Sequence, residues 1–298
     1  MESLTRVLGS LLGQPCQVHD HRAVGGGCIS DAMRVTVSID SDAPTRLFLK
    51  RNEASMEDNF RCEKLGLVQL AAANVIRVPI PLAVGCVDGQ AWLVTDWIDQ
   101  AEMPSDFFGV FGRQLAQLHR ATLGREIGWP RDNYLGAAPQ QNSPAPTWHD
   151  FVAERRLGFQ LRWAVDQRLA DSRLSSDVQA IINRLPDLLV GRDPQTSLLH
   201  GDLWRGNYLC DETGNPVIID PAVYRGCREA EFGMIRLFGS CPASFEQAYD
   251  QAFPLPDGWQ RRVSVYVLYH LLNHLNLFGR GYLSQCHQVA AEVLQSST

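Results

Sequence analysis

Leu198-Leu199-His200-Gly201-Asp202-Leu203-Trp204-Arg205-Gly206-Asn207, followed by Val217-Ile218-Ile219-Asp220, sets two carboxylates and an amide in the order that phosphoryl transfer requires. An Asp and an Asn five residues apart on a tight loop can face one pocket from two sides, the first toward an attacking hydroxyl and the second toward a metal-bound phosphate. Gly201 and Gly206 are expected to supply the backbone angles of such a loop. Val217 to Ile219 is a short β-branched run that reads as a buried strand, leaving Asp220 at its carboxyl end. Asp202 is thus the candidate proton acceptor, and Asn207 and Asp220 are hard oxygen ligands suited to Mg2+ carrying nucleotide phosphates. One Asp commonly caps a turn or ends a strand; an ordered set must be explained together.

The parts that should accompany this set lie upstream. Val24-Gly25-Gly26-Gly27-Cys28-Ile29-Ser30 is a glycine-rich turn whose N–H groups could approach phosphate oxygens, although a plain turn would read the same way. The alternating run Met33 to Ile39 follows as a hairpin arm. Arg46-Leu47-Phe48-Leu49-Lys50 then reads as an apolar strand ending in one of only two lysines in the chain, the other being Lys64. A lysine here suits a phosphate-binding point charge. Glu63, in the helical stretch Met56 to Ala73, can pair with Lys50, with Glu53 and Glu57 as competitors. Ala91 to Ile98 reads as a strand entering a linker, where the backbone of Asp96, Trp97 and Ile98 could meet adenine; an ordinary core strand would look alike.

The 298-residue chain is long enough for one large or two smaller domains with a real core. Its 45% hydrophobic and 20% charged residues are those of a globular protein, and a net charge of −6 argues against nonspecific nucleic-acid binding. No apolar run approaches the roughly 20 residues that span a bilayer, and the first residues lack a secretory pattern, so a cytoplasmic protein without membrane partners is expected. Eight cysteines show no CxxC spacing, which excludes a usual zinc ribbon and disfavours a disulfide scaffold. Cys28, inside the glycine turn, is a candidate redox-sensitive thiol.

Residues 1–97 read as a small β-rich lobe and 98–298 as a larger, mainly helical one, together an α+β chain. Apolar residues recur at helical spacing in Phe107 to His119, Phe151 to Leu169, Ser175 to Leu189 and Arg262 to Leu277. The segment from Asp132 to Pro146, rich in Gly, Pro, Gln and Asn, reads as a loop too polar for the core.

The catalytic-loop stretch with Asp220-Pro221-Ala222-Val223-Tyr224 and Arg228-Glu229 resembles the fructosamine kinase (ketosamine kinase) family. The likeness extends to residues 25–30, Asp132 to Gly136, Gln140 to Asn142, Trp148 and the run Leu268 to Gly279. It implies a two-lobed protein-kinase-like fold and ATP-dependent phosphorylation of a ketoamine, the adduct of a sugar with an amine, on its sugar 3-hydroxyl. The phosphorylated adduct then falls apart, a deglycation repair of glycated proteins or free glycated amines. Carried over by residue, Asp202 is the base, Asn207 and Asp220 hold Mg2+, Gly25 to Ser30 and Lys50 with Glu63 serve the ATP phosphates, and Asp96 to Ile98 serve adenine. Trp204 is implied as a wall of the sugar site, with Tyr224 and His270 as further substrate candidates against an ordinary packing role. Where the family reads Arg-Glu-Ala-Asp, this chain has Glu231, which bears on a contact behind the catalytic loop. A monomer or a homodimer linked through Cys28 is compatible with the sequence. So are three other functions: a kinase of this fold acting on an aminoglycoside, choline, homoserine or methylthioribose; a noncatalytic nucleotide-binding scaffold; and a metal-dependent hydrolase using His200, Asp202 and Asp220.

Overall fold

The computed structural model describes residues 1–25 and 30–296. Two compact units emerge, Met1–Pro104 with Tyr208–Pro221, and Ser105–Asn207 with Ala222–Thr298. The sequence expectation had kept 208–221 in the larger lobe.

The first unit is an antiparallel sheet of β1 (Cys16–Val24), β2 (Asp31–Ile39), β3 (Thr45–Glu53), β4 (Pro81–Val87) and β5 (Gln90–Asp96), in the order β1-β2-β3-β5-β4. Side chains alternate across a strand, so Leu47 and Leu49 of β3 enter the core with Val35, Val37 and Val94, while Lys50 turns to the other face. There Lys50 lies opposite Leu93 of β5, and Leu93 packs with Ala91 and Phe60. Phe60 belongs to the helix Glu57–Ala72, which buries Phe60, Leu67 and Leu70 and carries Glu63. The hairpin of Tyr208–Cys210 and Pro216–Ile218 joins this unit through backbone bonds. Ile218 N–H donates to Arg77 O at 3.0 Å and Ala101 N–H to Cys210 O at 3.1 Å. Arg77 also pairs with the buried Asp211 at 2.9 Å.

The second unit is mainly helical. Its core gathers Trp148, Phe151, Leu157, Leu185, Tyr266 and Leu272 from the helices Trp148–Phe151, Ser172–Leu188 and Trp259–Phe278 and the turns between them. The expected helix from Phe151 onward contains a π-helical turn at Val152–Leu157. The helices Glu231–Leu237, Ala243–Ala252 and Leu283–Gln295 add to those read from periodicity. A short pair of strands, Ser197–Leu199 with Tyr224–Gly226, sets Leu199 opposite Tyr224.

The segment 132–146 corrects the sequence reading. Asn133–Leu135 and Ala138–Gln140 form a two-stranded pair, and Asn133, Gln140 and Asn142 are buried. Their amides satisfy one another: Gln140 Nε2 donates to Asn133 Oδ1 at 2.8 Å, and Asn142 Nδ2 to the same oxygen at 2.7 Å. Tyr269 Oη donates to Gln140 Oε1 at 2.9 Å, and Arg156 Nη2 to Asn142 Oδ1 at 2.9 Å. Buried polar groups are tolerated when each finds such partners. This cluster also grips the chain just past Asp220, since Gln140 donates to Ala222 O at 3.0 Å and Asn133 to Val223 O at 2.8 Å.

Candidate active site

Lys50, Glu63 and Asp220 meet in the first unit. Lys50 Nζ lies 2.7 Å from Glu63 Oε1 and 2.7 Å from Asp220 Oδ1. The competitors are absent from this contact, Glu57 being paired with Arg61. Asp220 adopts φ 56°, in the left-handed region that non-glycine residues seldom occupy and that clusters at functional sites. Its carboxylate remains 39% accessible. Burial alone would lower the Lys50 pKa, but the charges of Asp220 and Glu63 reverse this and raise it, keeping the ammonium charged. Two carboxylates on one buried ammonium leave a negative excess. Burial, with the Asp220 charge added and Lys50 opposing, pushes the Glu63 carboxyl up to about 7 from an ordinary 4.5.

A pH dependence follows. A carboxyl whose folded pKa is raised contributes stability that is full below its unfolded pKa and is lost as pH rises through the folded value, here about 7. Glu63→Gln should therefore flatten the decline of melting temperature from roughly pH 5 to 8 in nucleotide-free protein. An unchanged slope would assign that titration to another group.

Asp202 and Asn207 meet in the second unit. Asn207 Nδ2 donates to Asp202 O at 2.8 Å and to Asp202 Oδ2 at 3.0 Å. Asp202 N–H points to His200 Nδ1 at 3.3 Å. With its amide nitrogen on Asp202, Asn207 has its amide oxygen as the candidate metal donor. Asp220 offers a carboxylate and Asn207 an amide oxygen, each a hard oxygen donor of the kind that Mg2+ takes.

The loop is held from behind by Glu231, which is fully buried. Its carboxylate accepts from His200 N–H at 2.6 Å and Gly201 N–H at 3.0 Å. Burial would raise the Glu231 pKa; the neighbouring His119 and His200 and the bond from His200 N–H bring it below the ordinary value. His119 Nε2 stands 3.5 Å away, beyond good hydrogen-bond geometry, and burial lowers the His119 pKa. The two backbone donors are therefore the firm part of this contact. The departure from the family's Asp thus falls on the residue that fixes the backbone one and two positions before Asp202, and the contact expected behind the catalytic loop is this pair of backbone bonds.

The two glycines serve different purposes. Gly201 has φ 83°, and a Cβ there would overlap the Ala222 carbonyl oxygen. Gly206 does not adopt a positive φ; a Cβ there would lie 2.6 Å from Cζ2 of the Trp204 indole, so close ring approach is its requirement. Gly201→Ala should cost about 2–4 kcal/mol of stability, read from chemical denaturation. A loss under about 0.5 kcal/mol would show that the loop shifts freely.

Asp96 Oδ1 accepts from Ile80 N–H at 2.5 Å, and Trp97 N–H donates to Arg46 O at 3.3 Å. Ile98 is buried. Asn52 Nδ2 donates to Ser30 Oγ at 3.0 Å, and a Cβ on Gly25 would meet nothing within 4 Å among the described residues. Gly26, Gly27, Cys28 and Ile29 lie outside the described residues. Tyr224 and His270 are core residues. Tyr224 is 4% exposed and stacks on Trp148 and Phe151, with the Arg156 guanidinium 4.3 Å from its ring centroid. His270 is 2% exposed, and burial, with His274 and Arg156 nearby, lowers its pKa to about 3. Their burial accounts for both by packing.

A family model described as fructosamine kinase matches residues 1–296. The chain is 38% identical over 294 residues to a Synechocystis protein named "probable ketoamine kinase", covering 99% of this chain and 97% of that one. It is 36% identical over 285 residues to the chloroplastic protein-ribulosamine 3-kinase of Oryza sativa subsp. japonica, covering 95% and 81%. A solved structure from Thermobifida fusca YX-ER1, named "putative fructosamine-3-kinase", superposes with a TM-score of 0.85 at 29% identity over 99% of each chain. Solved aminoglycoside phosphotransferases share the kinase-like fold. With that fold, the paired Asp202 and Asn207, and a family match running from end to end, the chain belongs to the fructosamine kinase family.

Proposed function

We propose that this protein transfers the γ-phosphoryl group of ATP to the sugar 3-hydroxyl of ketoamines. The observation that carries the reading is the Asn207 amide held on the Asp202 carboxylate at 3.0 Å, which sets the proposed base beside the proposed metal ligand on one loop. Phosphoryl transfer has a loose transition state, so catalysis rests on positioning and charge neutralisation. Asp202 needs only to reach the sugar hydroxyl at roughly 2.6–3.2 Å. Lys50, oriented by Glu63, takes the nucleotide phosphates. Asn207 and Asp220 hold Mg2+, which when bound neutralises charge on the transferring phosphate. Glu231 keeps the loop backbone in place, and Trp204 borders the sugar. The amine released from the unstable phosphorylated adduct makes the reaction a repair step, which we place in the cytoplasm.

A magnesium–ATP assay over erythrulose, ribulose and fructose adducts of one amine, with product identified by mass spectrometry, tests this. Phosphate gain on C3 of at least one adduct is expected. Transfer only to aminoglycoside, choline, homoserine or methylthioribose, or ATP binding without transfer to any ketoamine, would refute it.

A further inference from the structure

Trp204 leaves the catalytic loop two residues after Asp202 and starts a string of rings within the second unit. Its centroid lies 5.4 Å from that of Phe238, and Phe238 lies 5.3 Å from His274. His274 in turn lies 5.5 Å from Phe278 and 5.2 Å from Tyr282. Phe238 and Phe278 are 42% and 57% exposed. A single exposed Phe is ordinary; here two of them join through a buried imidazole to a ring on the catalytic loop, and Trp204 and Tyr282 anchor the strip on the core.

His274 shapes the charge of this strip. Its Nδ1 donates to His270 O at 2.7 Å, and burial lowers its pKa despite that bond. The imidazole is therefore neutral near pH 7, and His274 adds no positive charge to the strip. A ketoamine nitrogen is a secondary amine, protonated at that pH, one carbon from the sugar carbonyl. Aromatic faces attract such an ammonium and any apolar group attached to it.

We propose that the Trp204–Phe238–His274–Phe278–Tyr282 strip receives the amine-derived half of the ketoamine and selects adducts whose amine carries an aromatic or long apolar group. This rests on the ketoamine kinase reading and adds to it the side of the substrate that the sugar chemistry leaves undefined. The ammonium sits against the Trp204 and Phe238 faces, and the apolar substituent extends over Phe278 and Tyr282.

The test compares kcat/KM for two adducts of one sugar, with methylamine and with phenethylamine. Wild-type protein should prefer the phenethylamine adduct by about 10-fold or more, the discrimination an apolar pocket commonly provides. Phe238→Ala and Phe278→Ala should each cut that ratio by about threefold, and the double variant should bring it near unity, while Phe278→Tyr retains it. Both positions are exposed, so the variants should fold, as a melting curve will verify. A ratio unchanged in the double variant, or no wild-type preference, overturns the proposal while leaving the kinase reading intact. A dimer that dissociates in the double variant would identify a second copy as the occupant and also overturns it. Absence of turnover on both adducts would instead strike the ketoamine reading itself, and this proposal with it.

Discussion

Asp202→Asn should lower kcat by at least about 10³-fold, near the upper range for loss of a general base, and leave ADP affinity within about twofold. The amide is isosteric, so its oxygen can still accept from Asn207 Nδ2, and the backbone bond toward His200 Nδ1 is untouched. What disappears is the proton-accepting capacity of the second oxygen, since an amide nitrogen can only donate. Single-turnover kinetics with calorimetric ADP binding separates the two effects. Retention of more than about one tenth of the wild-type rate would remove Asp202 from the role of base.

Asp220→Asn should lower kcat/KM for MgATP by about 10²–10³-fold and raise the magnesium concentration needed for half-maximal rate. Asn is among the residues that tolerate a positive φ, so the left-handed backbone at 56° should persist. Lys50 would keep Glu63 as its partner at 2.7 Å, and loss of the Asp220 charge should ease the upward pressure on the Glu63 carboxyl. A magnesium titration at fixed ATP reads the main effect. An unaltered half-saturation point would contradict a metal role for Asp220.

The grouping of Lys50 with Glu63 and Asp220, and of Asp202 with Asn207, was legible because phosphoryl-transfer chemistry needs particular residue types at fixed intervals along short stretches. Asp202 and Asn207 are close in sequence, and Lys50 stands out in a chain with so few lysines. The alternating runs gave the sheet, since one buried face imposes a period of two. Other features depend on long-range packing. The purpose of Glu231 becomes visible only when two backbone N–H groups thirty residues upstream converge on it. The return of Tyr208–Pro221 to the first unit is decided by bonds to Arg77 and Ala101, distant in sequence. Composition misled at 132–146, because amides mark a loop on average yet are stable inside when they bond one another. Tyr224 and His270 could not be told from substrate contacts without knowing their burial.

The pairing at Lys50 also bears on chemical self-protection. Sugar carbonyls condense with the uncharged form of an amine, and Lys50 is sequestered, with 12% side-chain exposure, and kept protonated by two carboxylates. An enzyme that works among reducing sugars and their adducts thus carries the amine proposed to meet its nucleotide phosphates in the form least open to glycation. Arginine takes most other basic positions, leaving Lys64 as the one further lysine side chain that could be modified.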